Sequence, residues 1–297
     1  MFESALMAHT LDKETFEQLE LTLRTELVDA ELEVVERKAF PVIILVTGLD
    51  AAGKSAVIHR LYEWMDPRHV ATNAYDGPDE AERARPRMWR YWRDLPARGE
   101  IAVVFGSWYT DPILQRVMES ETAAEFNERL ARIRDHERML VSEGALIVKL
   151  WFHLSKDAQK KRLKELSAKK KTAWRVTKWN WDRLKTYDKL QDVVGHVLRM
   201  TNTPWAPWII VEGNDPNFRY LTVARTVHQT LERCLDERPS VVAALPARRD
   251  LELDRQRRST ASQKCVEIAR LRSMAPQRRE LAATSNLCVV EHQLLRA

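Results

Sequence analysis

The chain has 297 residues, 48 Lys plus Arg against 43 Asp plus Glu, and 44% hydrophobic residues. That is enough apolar material for a sizeable core in one large α/β domain or two ordinary ones, and it excludes wholesale disorder and collagen-like or low-complexity architectures. Three scattered cysteines (Cys234, Cys265 and Cys288) argue against a disulfide framework or a Cys-type zinc site. No apolar run approaches the roughly 20 residues of a membrane span. The opening sixteen residues carry early acids and no basic stretch ahead of an apolar one, so no signal peptide is expected, and a cytoplasmic protein without a membrane partner is the expectation.

Residues 12–38 have the spacing of an amphipathic helix, with Phe16, Leu19, Leu23, Leu27, Ala30 and Val34 three or four apart. Residues 40–47 are a β-branched run between Pro41 and Gly48 and read as a buried parallel strand. A helix is predicted over 54–65, a strand over 70–75, a helix interrupted by Pro86 over 79–95, and a strand over 101–105. One long helix is predicted over 111–143, then a strand over 145–153, helices over 156–167 and 182–200, a strand over 208–212, and a helix over 218–235. This alternation predicts a mostly parallel five-stranded sheet with helices on both faces. After Arg238 and Pro239 the pattern weakens. The division expected is an N-terminal helix at 1–39, a main domain at 40–238, and an Arg-rich tail at 239–297 that is disordered or the remnant of a second domain.

Charge is unevenly placed. Residues 240–297 hold 11 basic and 6 acidic side chains, and residues 1–239 hold 37 of each. Within that neutral body, residues 155–190 hold 13 basic and 4 acidic side chains, together with Trp174, Trp179 and Trp181. A basic segment on an acidic body implies an anionic partner met at one place. The tail lacks the aromatic interleaving of a nucleic-acid stacking surface, so no specific nucleic-acid partner is expected.

The sharpest motif is GLDAAGKS at 48–55. It fits the phosphate-loop pattern G-x-x-x-x-G-K-[ST] and lies between a predicted strand and a predicted helix. Its fixed positions would match by chance in about one chain in a hundred of this length. The glycines let the loop N–H groups point inward, and the helix N-terminus adds positive potential. Phosphate binding is therefore assigned to Gly48, Ala51, Ala52, Gly53, Lys54 and Ser55, with Lys54 reaching the terminal phosphates as a point charge. Asp50 is unusual in a loop that faces anions. It needs a metal or a basic neighbour, and with Ser55 it is the candidate Mg²⁺ ligand. A second metal acid is expected at the end of the 101–105 strand, but Phe105 and Gly106 stand there, with Asp111 the nearest acid.

These stretches resemble the polyphosphate kinase 2 family, over roughly residues 10–236. The resemblance is carried by GLDAAGK at 48–54, MWRYWRDLP at 88–96, SWY at 107–109, VKLWFHLS at 148–155, and TNTPWAPW at 201–208 leading to Val211 and Glu212. The opening MFESA and the FGSWY at 105–109 are most similar to the N-terminal half of two-domain members, which act as polyphosphate:AMP phosphotransferases. The resemblance implies a P-loop kinase three-layer sandwich with a basic helical lid at about 155–187. It further implies Mg²⁺ as cofactor, inorganic polyphosphate and AMP or ADP as partners, and a homo-oligomer. Catalytic roles fall to Asp50 and Lys54, and a polyphosphate track to Arg90, Arg93, Lys160, Lys161, Lys164, Lys171, Arg175 and Lys178. In active members SWY is preceded by Asp-Arg and followed by Asn-Arg, whereas here the flanking pairs are Phe105-Gly106 and Thr110-Asp111. The leading expectation is phosphoryl transfer from polyphosphate to AMP. A degenerate module that binds polyphosphate or nucleotide, or supports an oligomer, is the alternative, and an ATP-dependent nucleotide kinase is a third. Trp89, Trp92, Trp151 and Trp208 are expected in the core, and Trp108 and Trp205 are the candidates for stacking on a base. No histidine has zinc-ligand spacing.

Overall fold

A computed structural model describes residues 2–237; the Arg-rich tail at 239–297 lies outside the described residues. Five strands form the sheet: β1 (Val42–Gly48), β2 (Val70–Ala74), β3 (Ile101–Phe105), β4 (Leu146–His153) and β5 (Trp208–Glu212). All pairings are parallel, in the order β2-β3-β1-β4-β5. β1 and β4 are buried along nearly their whole length, which is why they read as unbroken apolar runs instead of alternating ones. The chain adds β2 and β3 on one side of β1 and β4 and β5 on the other. The order therefore switches direction at β1, and a crevice opens beyond its carboxyl end.

Helices cover both faces. The long helix α1 (Lys13–Glu36) is capped by Asp12, whose carboxylate accepts from Thr15 N at 2.8 Å. It packs with α2 (Lys54–Trp64) and α10 (Pro216–Glu237) on one face. Phe16, Leu23, Leu27, Ala30 and Val34 are buried as the spacing predicts, but Leu19 is 40% exposed and Glu31 is buried in its stead. The other face carries α5 (Thr110–Val117), α6 (Ala123–Ser142) and α9 (Tyr187–Thr201). Two short helices, α3 (Glu80–Arg83) and α4 (Trp89–Arg93), flank Pro86, and α7 (Lys156–Ala168), a 3₁₀ turn at Ala173–Arg175 and α8 (Lys178–Lys185) form the basic segment.

Two predicted long helices are broken. The one over 111–143 divides at Glu119, where φ is +56°, before Thr122 starts α6. Thr122 and Glu125 form a reciprocal capping box, and that T-x-x-E signal at 122–125 stood in the sequence. The helix over 182–200 begins earlier, at Lys178, and bends at Thr186 between α8 and α9. Among the described residues no helix is long and apolar enough to cross a membrane.

Candidate phosphate site

The crevice at β1 is filled by the GLDAAGKS loop. Gly48 has φ +135°, and a Cβ there would lie 2.3 Å from the Phe152 carbonyl oxygen of β4, so only glycine lets the loop leave the sheet here. Leu49 N donates to the same oxygen at 2.9 Å. Ala51 has φ +60°, a left-handed conformation that is unfavourable for alanine and that collects at functional loops. Ala52 is buried, and Gly53 at φ +90° precedes the first turn of α2. The first turn of α2 leaves N–H groups without helical partners beside the loop, which suits an anion.

Lys54 Nζ folds back onto the loop, donating to Gly48 O at 2.8 Å and Leu49 O at 2.6 Å. Burial lowers its pKa to about 8; nearby Asp50 pulls it up and Arg183 pushes it down. An ammonium satisfied only by two carbonyls is poised to exchange them for phosphate oxygens. Ser55 is exposed at the second position of α2.

Asp50 finds the basic neighbour its position requires. Its Oδ1 accepts from Arg183 Nη1 of α8 at 3.4 Å, and its Oδ2 is buried without a hydrogen-bond partner. Its carbonyl accepts from Gln159 Nε2 of α7 at 3.1 Å. Both helices of the basic segment are therefore tied to the loop at one residue. Arg183 and Gln159 were not singled out in the sequence: one was hidden among thirteen basic residues at 155–190, the other carries no charge.

Lys160, Lys161, Lys164, Lys171, Arg175 and Lys178 are exposed along α7, the 3₁₀ turn and α8. Arg175 lies 5.3 Å from the Trp174 ring centroid, and Trp174 is 74% exposed. Arg90 and Arg93 are placed differently. Arg90 Nη2 is 3.4 Å from Glu82 Oε2, with its guanidinium over Tyr75 and Tyr91 at 5.0 and 5.8 Å. Arg93 Nε donates to Asp94 Oδ1 at 2.8 Å. Both arginines stand in an acid-paired aromatic cluster.

The end of β3 turns inward. Ser107, Trp108 and Tyr109 are buried. Trp108 Nε1 and Tyr109 OH donate to Glu137 Oε1 at 3.1 and 2.7 Å, and Lys149 Nζ donates to Glu137 Oε2 at 2.8 Å. Trp108 is thus spoken for by the core and is no base-stacking platform, whereas Trp205 is 40% exposed. Trp151 is buried as expected, but Trp92 is 51% exposed and donates from Nε1 to His136 Nδ1 at 3.1 Å. Asp111, the acid nearest β3, is exposed and held by Arg129 and Gln115. Among the described residues no three His, Cys, Asp or Glu side chains converge as a metal cluster.

A parallel sheet with this loop at its switch point, closed over by a basic helical segment, defines a P-loop protein of the kinase type. A family model for polyphosphate kinase 2 matches residues 10–239. The chain belongs to the polyphosphate kinase 2 family. It is 39% identical over 235 residues to a polyphosphate:AMP phosphotransferase of Pseudomonas aeruginosa strain PAO1, covering 79% of this chain and 47% of that protein. It is 30% identical over 191 residues to an AMP/ADP-polyphosphate phosphotransferase of Meiothermus ruber, covering 64% of this chain and 72% of the relative. The crystal structure of polyphosphate kinase 2 from Arthrobacter aurescens TC1 superposes with a TM-score of 0.73 at 25% identity, over 84% of this chain and 88% of that one. A crystal structure from Pseudomonas aeruginosa PA01 does so at 0.72 and 38% identity, over 79% and 48%. The chain spans about half the length of the Pseudomonas relatives it matches.

Proposed function

We propose that this domain transfers a phosphoryl group from inorganic polyphosphate to AMP, giving ADP. The observation that carries the reading is the juxtaposition of the phosphate loop with the cationic α7–α8 segment, tied together at Asp50. Polyphosphate is a regular polyanion, and spaced exposed lysines suit it better than one bidentate clamp. The loop N–H groups and Lys54 hold the terminal phosphates. The terminal P–O–P bond breaks, an oxygen of the AMP phosphate forms the new P–O bond, and the polymer leaves one unit shorter. Such transfers are promoted by positioning and charge neutralisation more than by covalent chemistry.

Mg²⁺ fits this site through few protein oxygens. The buried, unpartnered Oδ2 of Asp50 and the hydroxyl of Ser55 are the donors available, and Mg²⁺ commonly completes its shell with substrate phosphates and water. When bound it supplies charge neutralisation at the bridging oxygens. Arg183 already pairs with Asp50 Oδ1, so α8 and the metal would share one carboxylate.

One observation favours a second reading, a binding module without turnover. The end of β3 offers Phe105 and Gly106 where the family's metal acid is expected, and Asp111 is engaged by Arg129. The deciding experiment mixes the purified chain, free of adenylate kinase, with AMP, long-chain polyphosphate and Mg²⁺ and measures ADP. ADP formation that Lys54→Ala abolishes is the expected result. No ADP alongside saturable polyphosphate binding would overturn the transferase reading and leave the module.

A further inference from the structure

Arg219 lies in the first turn of α10 and is 2% exposed. Its Nη1 donates to Gly213 O at 2.7 Å, while its Nε is buried with no hydrogen-bond partner. Burial lowers its pKa, and Tyr220 supports the charge, the guanidinium lying 5.2 Å from the Tyr220 ring centroid; among the described residues no carboxylate forms an ion pair with it, Arg162 of α7 opposes it, and Asp215 acts only at longer range. A Cβ built on Gly53 would lie 2.4 Å from Arg219 Cζ and 2.6 Å from its Nε. The guanidinium therefore occupies the space a side chain at position 53 would need, against the phosphate loop. This gives Gly53 a second reason to be glycine, beyond its φ of +90°.

A buried guanidinium stays charged, and a buried charge without a counter-ion is costly. Nothing anionic in the loop answers it: Lys54 binds loop carbonyls and Asp50 faces Arg183. What the loop lacks, a phosphate ligand supplies. We infer that Arg219 is a positioning residue of the phosphate site, a positive charge held against Gly53 that a bound phosphate anion neutralises without touching it. This rests on the phosphate-loop reading and adds to it a charge outside the motif, contributed by the helix after β5.

Two readouts on Arg219→Met and Arg219→Gln test it, with wild type and Lys54→Ala alongside: the urea midpoint of the empty protein, and calorimetric affinity for tripolyphosphate. The expected result is an affinity loss of about tenfold or more in both variants, with an empty-state midpoint that is unchanged or higher, because an uncompensated buried charge is removed. Arg219→Lys, which keeps the charge, is expected to recover most of the affinity. A purely structural arginine gives the reverse, a lower midpoint with affinity within about twofold of wild type, and that result overturns the inference. Should Arg219→Met not fold, Arg219→Gln, which can still donate to Gly213 O, decides; failure of both to fold also overturns it, since the charge would then be an asset to the empty fold. Wild-type protein that does not bind tripolyphosphate, or binds it regardless of Lys54→Ala, defeats the phosphate-loop reading itself and this inference with it. Binding that needs Lys54 but ignores Arg219 defeats this inference alone.

Discussion

Lys149→Met removes the ammonium from the centre of the fold. Lys149 sits mid-strand in β4, opposite Leu45 on one side and Trp208 on the other. Its Nζ donates to Glu137 Oε2 at 2.8 Å and Thr201 O at 2.7 Å, and lies 3.4 Å from Tyr109 OH. Glu137 and Lys149 side chains are both 0% exposed. Methionine nearly matches the volume of lysine, so packing changes little, but the Glu137 carboxylate is left with two neutral donors, Trp108 and Tyr109. Breaking a buried pair in this way costs about 3–5 kcal/mol, which for a domain of this size lowers Tm by roughly 10 °C. Urea denaturation followed by far-UV circular dichroism reads the loss as a shift in midpoint at constant slope. Adding Glu137→Gln removes the stranded charge and keeps an acceptor for Trp108 and Tyr109, so the double variant recovers about 2–4 kcal/mol of the single variant's loss. A single-variant cost below about 1 kcal/mol, or a double variant that loses the simple sum, would falsify the view that this pair is a buried, mutually dependent charge pair anchoring the Ser107–Tyr109 turn.

Two further outcomes concern titration. Burial raises Glu31 from its ordinary value to about 7, and its Oε1 has no partner. The folded state therefore holds a proton that the unfolded chain releases above about pH 4.5, and stability is lost as pH rises from there to 7. Glu31→Gln is expected to raise stability by about 1–3 kcal/mol at pH 8, a gain that vanishes below about pH 4.5; a gain that is the same at both pH values would refute this. The empty-state Lys54 pKa of about 8 means the ammonium is charged below that pH, so tripolyphosphate affinity falls as pH rises through 8, by up to about tenfold per unit. Lys54→Arg stays charged there and should flatten the calorimetric profile; an equally steep profile in that variant would assign the dependence to another group.

Features controlled at short range were legible in neighbouring residues. The run at 42–47 is buried in β1 because every residue is apolar or β-branched, and the loop at 48–55 lies between β1 and α2 because its glycines and the following helix are contiguous in the chain. The charge of residues 155–190 was legible for the same reason, since a local count needs no fold. Breaks inside long periodic runs were legible only partly: the T-x-x-E box at 122–125 marked the start of α6, but the apolar period ran across it.

Which distant charges meet depends on the fold. Asp50 and Arg183 are 133 residues apart in sequence, and whether Asp50 faces solvent, metal or cation depended on where α8 lies over the loop. Arg90 and Arg93, read as phosphate contacts from their motif, both stand within 4 Å of Glu82 of α3, and Arg93 also pairs with its chain neighbour Asp94. Arg219 shows the same limit most clearly: nothing around position 219 announces a phosphate site, and only the path of α10 beside Gly53 gives its charge a place in one. Backbone preference and periodicity are written in neighbouring residues, whereas Coulomb energy depends on distance and burial, which do not exist until the sheet has brought its strand ends together.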